Sequence, residues 1–550
     1  MFCPDNESYI KKYNYQKKFS DSLSIKKELT NLIFSFNQNG YLSASIDSIK
    51  YDSTLVSAYV FLGNKYNWGN ISFNNIDEST LRKLNIKTKN LNLKSINLSK
   101  LNNLQKNIIS YYENNGYPFA SLEPDEIKIS NDTININYNL IKNSLIVIDS
   151  ITIKGNAKIS KKYIKNYLGI NNGDLYNENK LKSIESVLKE IIFLEEEKPY
   201  QILLKKDKAN LLLYLKNKKA NQFNGILGIL PNNKTTGKTM LTGDLYLLLL
   251  NSFGKGEMLS INWQKLEVNS QNLKIRATYP YLFSTQFGID ANFMLFKKDT
   301  SYLNINTNLG IQYLLQGNNY VKAYYENKKS SLISTSGLEN ITVLPSYCDF
   351  QTNLFGFSYN IEKLDYKYNP YKGYAFNINF GAGNKKIEKN SKINPVVYNK
   401  INLNSTQYEG QGIIIYFQPI TEKTTLKLQN KSGLMENSNL FENELYKIGG
   451  YKTLRGFDEE SIYASIYSIL TIEYRLIFEK NSCFYIFGDG AYYEKNTQNF
   501  IHDTPYGFGV GVDFETKAGI FSISYAVGKQ FDNPIEIRSA KIHLGFINRF

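Results

Sequence analysis

The sequence predicts a multidomain chain, with N-terminal α+β repeats followed by an antiparallel transmembrane β-barrel of about sixteen strands. Three observations lead there. A short pattern recurs in the N-terminal part, Asn39-Gly40-Tyr41-Leu42-Ser43-Ala44-Ser45 returning as Asn115-Gly116-Tyr117-Pro118-Phe119-Ala120-Ser121. From about residue 220 to the end, apolar residues fall at every second position without a helical interruption. No stretch approaches the roughly 20 uninterrupted apolar residues that a spanning helix needs.

Each copy of the repeat follows an amphipathic helical stretch. In the second, Leu101, Leu104, Ile108, Tyr111 and Tyr112 recur at helical spacing. The glycine ends the helix in a left-handed cap and the tyrosine turns the chain back toward a sheet. Two short alternating strands follow, over residues 127–130 and 133–140. A third unit opens on Ile151 and Ile153, turns at Gly155-Asn156, and starts a helix capped by Ser160 that runs to about Leu168. A second helix over 177–193 and a hairpin of 200–205 with 209–216 complete it. The expected domains are 1–65 (partial, without a convincing opening strand), 66–144 and 145–219, with the barrel over 220–550.

Leu303, Ile305, Thr307, Leu309, Ile311 and Tyr313 alternate with Asn304, Asn306, Asn308, Gly310 and Gln312. Tyr506, Phe508, Val510, Val512 and Phe514 alternate with three glycines and Asp513. One face is apolar and the other polar or glycine, over lengths near the ~9–11 residues of a tilted spanning strand. A soluble sandwich would alternate too. Strand length, the lack of helices and the Asn, Gln and Asp of the polar face favour a membrane barrel with a wet lumen. At the C-terminus Ile542, Leu544, Phe546 and Phe550 share one face, with Asn548 breaking the series.

Composition narrows the function. A net charge of +15 with 42% hydrophobic residues argues against disorder and against a helical membrane bundle. The mean hydropathy of −0.37 reads as soluble, yet a barrel turns only alternate residues to lipid. The 43 Tyr and 32 Phe against 2 Trp suit a water–lipid boundary, although an AT-rich genome would inflate Tyr and Phe as well. Two histidines and three distant cysteines, Cys3, Cys348 and Cys483, offer no disulfide framework or metal cluster, and no cofactor is expected. With no Gly-x-Ser-x-Gly elbow, phosphate loop or Cys-x-x-Cys, the expectation is a protein that is not an enzyme. The start, Met1-Phe2-Cys3-Pro4-Asp5, has no apolar h-region, so a secretory signal is expected upstream of a trimmed or late start.

Between two alternating segments lies Ile448-Gly449-Gly450-Tyr451-Lys452-Thr453-Leu454-Arg455-Gly456-Phe457, too glycine-rich and charged to be a strand. Arg455-Gly456-Phe457, preceded by Leu454 and by Gly449-Gly450, closely resembles the loop motif of the BamA/TamA superfamily of outer-membrane β-barrel assembly factors. Three further runs extend the resemblance. Asn251-Ser252-Phe253-Gly254-Lys255-Gly256-Glu257 looks like a periplasmic barrel hairpin, in which Gly254 and Gly256 permit the positive φ of a tight turn. Ile472-Glu473-Tyr474-Arg475 is similar to the strand after the loop. Phe487-Gly488-Asp489-Gly490-Ala491 resembles the next strand, with Ala491 at a position usually held by glycine. The strand–helix–helix–strand–strand order of the N-terminal units resembles the POTRA domain.

The resemblance implies an inward-folded loop at about 433–463, with Arg455 in the lumen beside Asp489 and Glu473 nearby. A guanidinium offers a rigid fork of donors to a carboxylate, and shielding strengthens the pair. Taken alone, Arg455 reads as a solvated loop arginine. Taken with Glu473, Asp489 and the paired glycines, it reads as a luminal ion pair. The first strand, about 223–230, holds Gly225 and Gly228 and should pair poorly, and the last holds Gly545. The implied role is assembly and insertion of outer-membrane proteins through a lateral seam between these strands. POTRA domains in the periplasm would receive clients by β-augmentation or only space the barrel from its partners. The implied location is the bacterial cell outer membrane. Implied partners are unfolded outer-membrane protein clients, outer-membrane lipid and periplasmic or lipoprotein accessory subunits, with no nucleic acid. A two-partner secretion transporter threading an exoprotein through the lumen, and a passive channel, remain alternatives. Length and adaptor number look more like TamA than BamA.

Overall fold

The computed structural model describes residues 15–52, 55–86, 98–230, 240–265, 270–339, 341–399, 401–516, 519–535, 538 and 540–548. They form two compact units, Met1–Ser150 with Asn172–Lys182 and Ile202–Asn210, and Ile151–Asn171 with Ser183–Gln201 and Leu211–Phe550.

In the first unit, α1 (Ser22–Gln38) starts where the Asp21 carboxylate accepts the Ser24 amide at 2.7 Å. Leu32 and Phe36 lie one turn apart and pack on Val60 and Leu62 at the antiparallel hairpin β1 (Ser45–Tyr51) and β2 (Val56–Phe61). The next repeat comprises β3 (Asn67–Asn74), α2 (Glu78–Lys83), α3 (Leu98–Glu113), β4 (Ser121–Ser130) and β5 (Thr133–Ile141). Its sheet runs β3-β5-β4, with β3 parallel to the central strand, and Leu101 packs on Ile134, Ile136 and Tyr138. The third repeat, whose residues are divided between the two units, has β6 (Val147–Lys154), α4 (Lys161–Leu168, in the second unit), α5 (Glu178–Lys189), β7 (Leu194–Lys205) and β8 (Lys208–Asn217), ordered β6-β8-β7. Ser160 caps α4 by accepting the Tyr163 amide at 3.1 Å.

The barrel wall begins with β9 (Gln222–Leu230), β10 (Met240–Leu250), β11 (Met258–Lys265), β12 (Gln271–Tyr279), β13 (Phe287–Lys298) and β14 (Tyr302–Leu314). It continues through β15 (Tyr320–Leu332), β16 (Phe350–Leu364), β17 (Gly373–Ile387), β18 (Asn404–Pro419) and β19 (Thr424–Glu436). A small hairpin, β20 (Tyr446–Ile448) with β21 (Ile462–Ala464), interrupts the wall, which resumes at β22 (Ile466–Glu479) and β23 (Ser482–Asn496). The four-residue β24 (Phe500–Asp503) extends β23 at one rim, and β25 (Tyr506–Thr516), β26 (Gly519–Lys529) and β27 (Lys541–Ile547) complete the circuit. Without β24, this is a sixteen-strand antiparallel barrel whose ring closes from β27 to β9.

The period-two pattern decides which side chains face in. On β22, Leu470, Ile472, Tyr474 and Leu476 are 43–50% exposed, whereas Thr471, Glu473 and Arg475 are buried. The inner wall carries paired charge: Asp290 binds Arg276 at 3.0 Å and Lys322 at 2.9 Å, Lys328 pairs with Glu409, and Lys385 pairs with Glu444. Among the described residues no helix is long and apolar enough to cross a membrane. Short turns mark the rim where β9 begins. At the other rim Leu344, Cys348, Ile387, Ile393, Val397 and Phe441 form an apolar cluster between long loops.

Candidate functional site

The chain leaves the wall after Glu436 and rejoins it at Ile466. The loop starts later than the expected 433, because Gly433 and Leu434 still pair with Tyr467 and Ile466. The Asn443 carbonyl accepts from Asn304 on β14 at 2.6 Å, Glu444 pairs with Lys385 on β17, and Tyr446 donates to the Leu434 carbonyl on β19 at 3.1 Å. Arg455 reaches β22 and β23, and Asp458 binds Lys541 on β27 at 2.7 Å. Strands so far apart on a closed wall share a neighbour only across the interior. The loop therefore lies in the lumen.

Gly449 and Gly450 follow β20 at φ 109° and 95°, and the Thr453 hydroxyl donates to the Gly449 carbonyl at 2.8 Å while accepting its amide at 2.9 Å. This tight bend buries Leu454 fully among Ile448, Ile462, Ala464 and Ile469. It also presents Arg455 to the wall. Nε and Nη2 donate to the two oxygens of Asp489, both at 2.7 Å, and Nη1 donates to Glu473 Oε1 at 2.7 Å. The Arg455 amide adds a bond to Asp489 Oδ2 at 3.1 Å. The guanidinium carbon stands 3.5 Å from the centre of the Phe487 ring, a cation–π contact in a water-poor setting. Lys427 binds Glu473 at 3.1 Å, so two carboxylates face two cations. Arg475 joins from β22, 3.8 Å from Glu473 and 3.3 Å from Asp513.

The close approach of loop and wall is made possible by glycine. A Cβ on Gly456 (φ 93°) would lie 2.7 Å from the Val527 carbonyl, and one on Gly507 would lie 2.0 Å from the Arg455 carbonyl. Phe457, 9% exposed, lies against Gly528. Ala491 packs at the edge of the Leu454 cluster, where a small side chain suffices. Phe487 and Lys427 are not among the luminal partners that the family resemblance implies for Arg455. Phe487 was legible in principle, since it shares the inward face with Asp489 two residues on.

The 251–257 hairpin is more than a turn. Gly254 and Gly256 take φ of 70° and 76°, and Glu257 accepts the amides of Phe253 and Lys255. The Gly254 carbonyl accepts the Ser160 amide at 2.9 Å, and Asn251 Nδ2 donates to the Lys158 carbonyl at 2.9 Å. A Cβ on Gly256 would fall 1.9 Å from the Tyr163 ring. The hairpin is thus a seat for the start of α4. Beside it the Tyr167 hydroxyl donates to Asn318 Oδ1 at 3.1 Å, and burial together with the Glu362 carboxylate holds the Glu190 carboxyl up at about 7. Nothing in the sequence signals Tyr163.

At the seam, β9 pairs with β10 through nine positions from Leu230↔Met240 to Gln222↔Leu248, so Gly225 and Gly228 do not interrupt that ladder. On this side the glycines cost no ladder bond, because a strand glycine keeps both of its backbone hydrogen-bonding groups. Gly545 faces Ser522 within a seven-position β26–β27 register. β27 and β9 are neighbours in the closed ring, and across their join the Asn548 amide donates to Asn224 Oδ1 at 3.0 Å. Phe550 lies outside the described residues.

Fold and loop together define a β-barrel with a loop bonded into its lumen and α/β adaptor repeats before it. Residues 251–550 match the Omp85 superfamily domain, and residues 146–194 match the POTRA model, a surface antigen variable number repeat. The chain belongs to the Omp85 superfamily. It is similar in fold to CdiB from Escherichia coli, at 13% identity over 96% of this chain and 97% of that one, with a TM-score of 0.55. CdiB from Acinetobacter baumannii matches at 15% identity over 97% and 100%, with a TM-score of 0.52. BamA from Haemophilus ducreyi lacking POTRA domains 1–3 matches at 16% identity over 88% and 100%, with a TM-score of 0.44. No curated protein matches the chain.

Proposed function

We propose that this protein sits in the bacterial outer membrane and inserts outer-membrane proteins through the seam between β27 and β9. Residues 66–144, 145–219 and the partial unit 1–65 would act as POTRA domains in the periplasm. In this reading they receive unfolded clients, alone or with accessory subunits, on the free edges β4 and β7 of the sheets β3-β5-β4 and β6-β8-β7. Arg455, with Gly449, Gly450, Leu454, Gly456 and Phe457, would hold the loop in place through Glu473 and Asp489.

The observation that carries the proposal is the place where the ring closes, the one join made between the two ends of the barrel sequence. The ring closes where the last strand β27 meets the first, β9; β9 is bonded to β10 over nine positions on its other side, and across the closure the Asn548 amide donates to Asn224 Oδ1. Parting this join would expose the edge of β9, whose backbone donors and acceptors would then serve an incoming strand. The lumen, by comparison, holds the loop and its ion pairs, which disfavours a route through the centre.

The test is a disulfide between cysteines introduced at Asn224 and Asn548, with purified protein and an unfolded barrel client in lipid vesicles. Client insertion should stop on oxidation and return on reduction. Insertion that continues with the seam locked would overturn the lateral route. Passage of a secreted polypeptide under the same lock would instead favour transport through the lumen.

A further inference from the structure

β27 turns three residues inward, Lys541, His543 and Gly545, between Ile542 and Leu544, which are 66% and 75% exposed. All three lead to the inserted loop. Lys541 Nζ lies 2.7 Å from Asp458 Oδ1. The His543 ring lies 6.1 Å from the Tyr451 ring at an interplanar angle of 42°. Gly545 is in register with Ser522 on β26, whose side chain engages the Tyr451 hydroxyl along with Tyr485 on β23. The same stretch of loop touches β26 again where Gly456 abuts Val527 and Gly528. Its root is fixed by Arg455 on β22 and β23. β27 has a seven-position register with β26 on one side and closes the ring against β9 on the other, where the Asn548 amide donates to Asn224 Oδ1.

From this we infer that the inserted loop is a brace for the last strand, and that Tyr451 and Asp458 are positioning residues that hold the inner face of β27. The inference rests on the seam reading above, because the position of β27 matters to clients only if the seam opens. The loop bonds to both sides of the interior, so its anchorage at Arg455 fixes how far Tyr451 and Asp458 reach. A strand ladder would resist sliding along its own direction. The brace adds resistance to β27 peeling outward, the movement that opening requires. Lys541–Asp458 is a partly exposed pair with Asp458 at 73%, so each charge contributes modestly and Tyr451 adds an apolar contact.

The test measures amide hydrogen exchange along β27 and, as an internal reference, along β14 and β15, in full-length protein in lipid nanodiscs. D458K and K541D should each speed β27 exchange by about two- to fivefold. Y451A should do so at least as strongly, with β14 and β15 unchanged in all three. The double variant D458K/K541D restores the pair with reversed sign and should return β27 to within about twofold of the parent. Unchanged β27 exchange in both reversals and in Y451A would overturn the brace, as would an equal rise in β14 and β15. Client insertion is measured on the same samples. Faster β27 exchange with unaltered insertion would leave the brace standing and remove the seam from the mechanism.

Discussion

Replacing Arg455 with alanine should release the loop from the wall. Asp489 loses both of its side-chain bonds to the guanidinium and keeps the amide of residue 455 at 3.1 Å. Glu473 retains Lys427 at 3.1 Å and Arg475 at 3.8 Å. The cost therefore concentrates on one stranded carboxylate whose side chain is fully buried. Breaking a buried ion pair from one side costs roughly 3–5 kcal/mol. Since Glu473 stays compensated, the lower end applies, about 3 kcal/mol, or on the order of a hundredfold in the open population. D489N removes the stranded charge, and R455A/D489N should cost about 2 kcal/mol less than the two single changes summed. Limited trypsin cleavage after Lys452, followed in detergent below the unfolding temperature, reads the open population directly. Cleavage of R455A no faster than that of the parent would refute the reasoning, because the loop would then be held by something other than this ion pair.

Gly256→Ala forces the Tyr163 ring from its seat and strains a backbone at φ 76°. Thermal unfolding should register a loss of about 1–3 kcal/mol, partly recovered by adding Y163A. Glu190 has its carboxyl raised from 4.5 to about 7 in the folded protein. Its contribution to stability is fully present below about pH 4.5 and is lost as pH rises through about 7, so E190Q should flatten the melting-temperature profile across that window. Gly507→Ala places a methyl 2.0 Å from the Arg455 carbonyl and should raise cleavage after Lys452 while leaving Asp489 and Glu473 intact.

Several features were legible along the chain. The alternation of Leu303 to Tyr313 recorded the two faces of a wall strand, because side-chain direction in a strand repeats every two residues whatever lies beyond it. Ser160 named its own helix start, and the Asn39 and Asn115 repeats marked two adaptor units, for equally local reasons. The Arg455, Glu473 and Asp489 set was reached through resemblance to a family, since nothing in their spacing states that they meet.

What only the tertiary structure decided is contact between distant segments. Phe487 beneath the guanidinium, Tyr163 against Gly256 and Lys541 against Asp458 each depend on ring closure, on strand register and on how far a loop reaches across the interior. Those are properties of the assembled wall. A sequence encodes which side of a strand is apolar one residue at a time, whereas the partner of an inward side chain is fixed only after sixteen strands have paired.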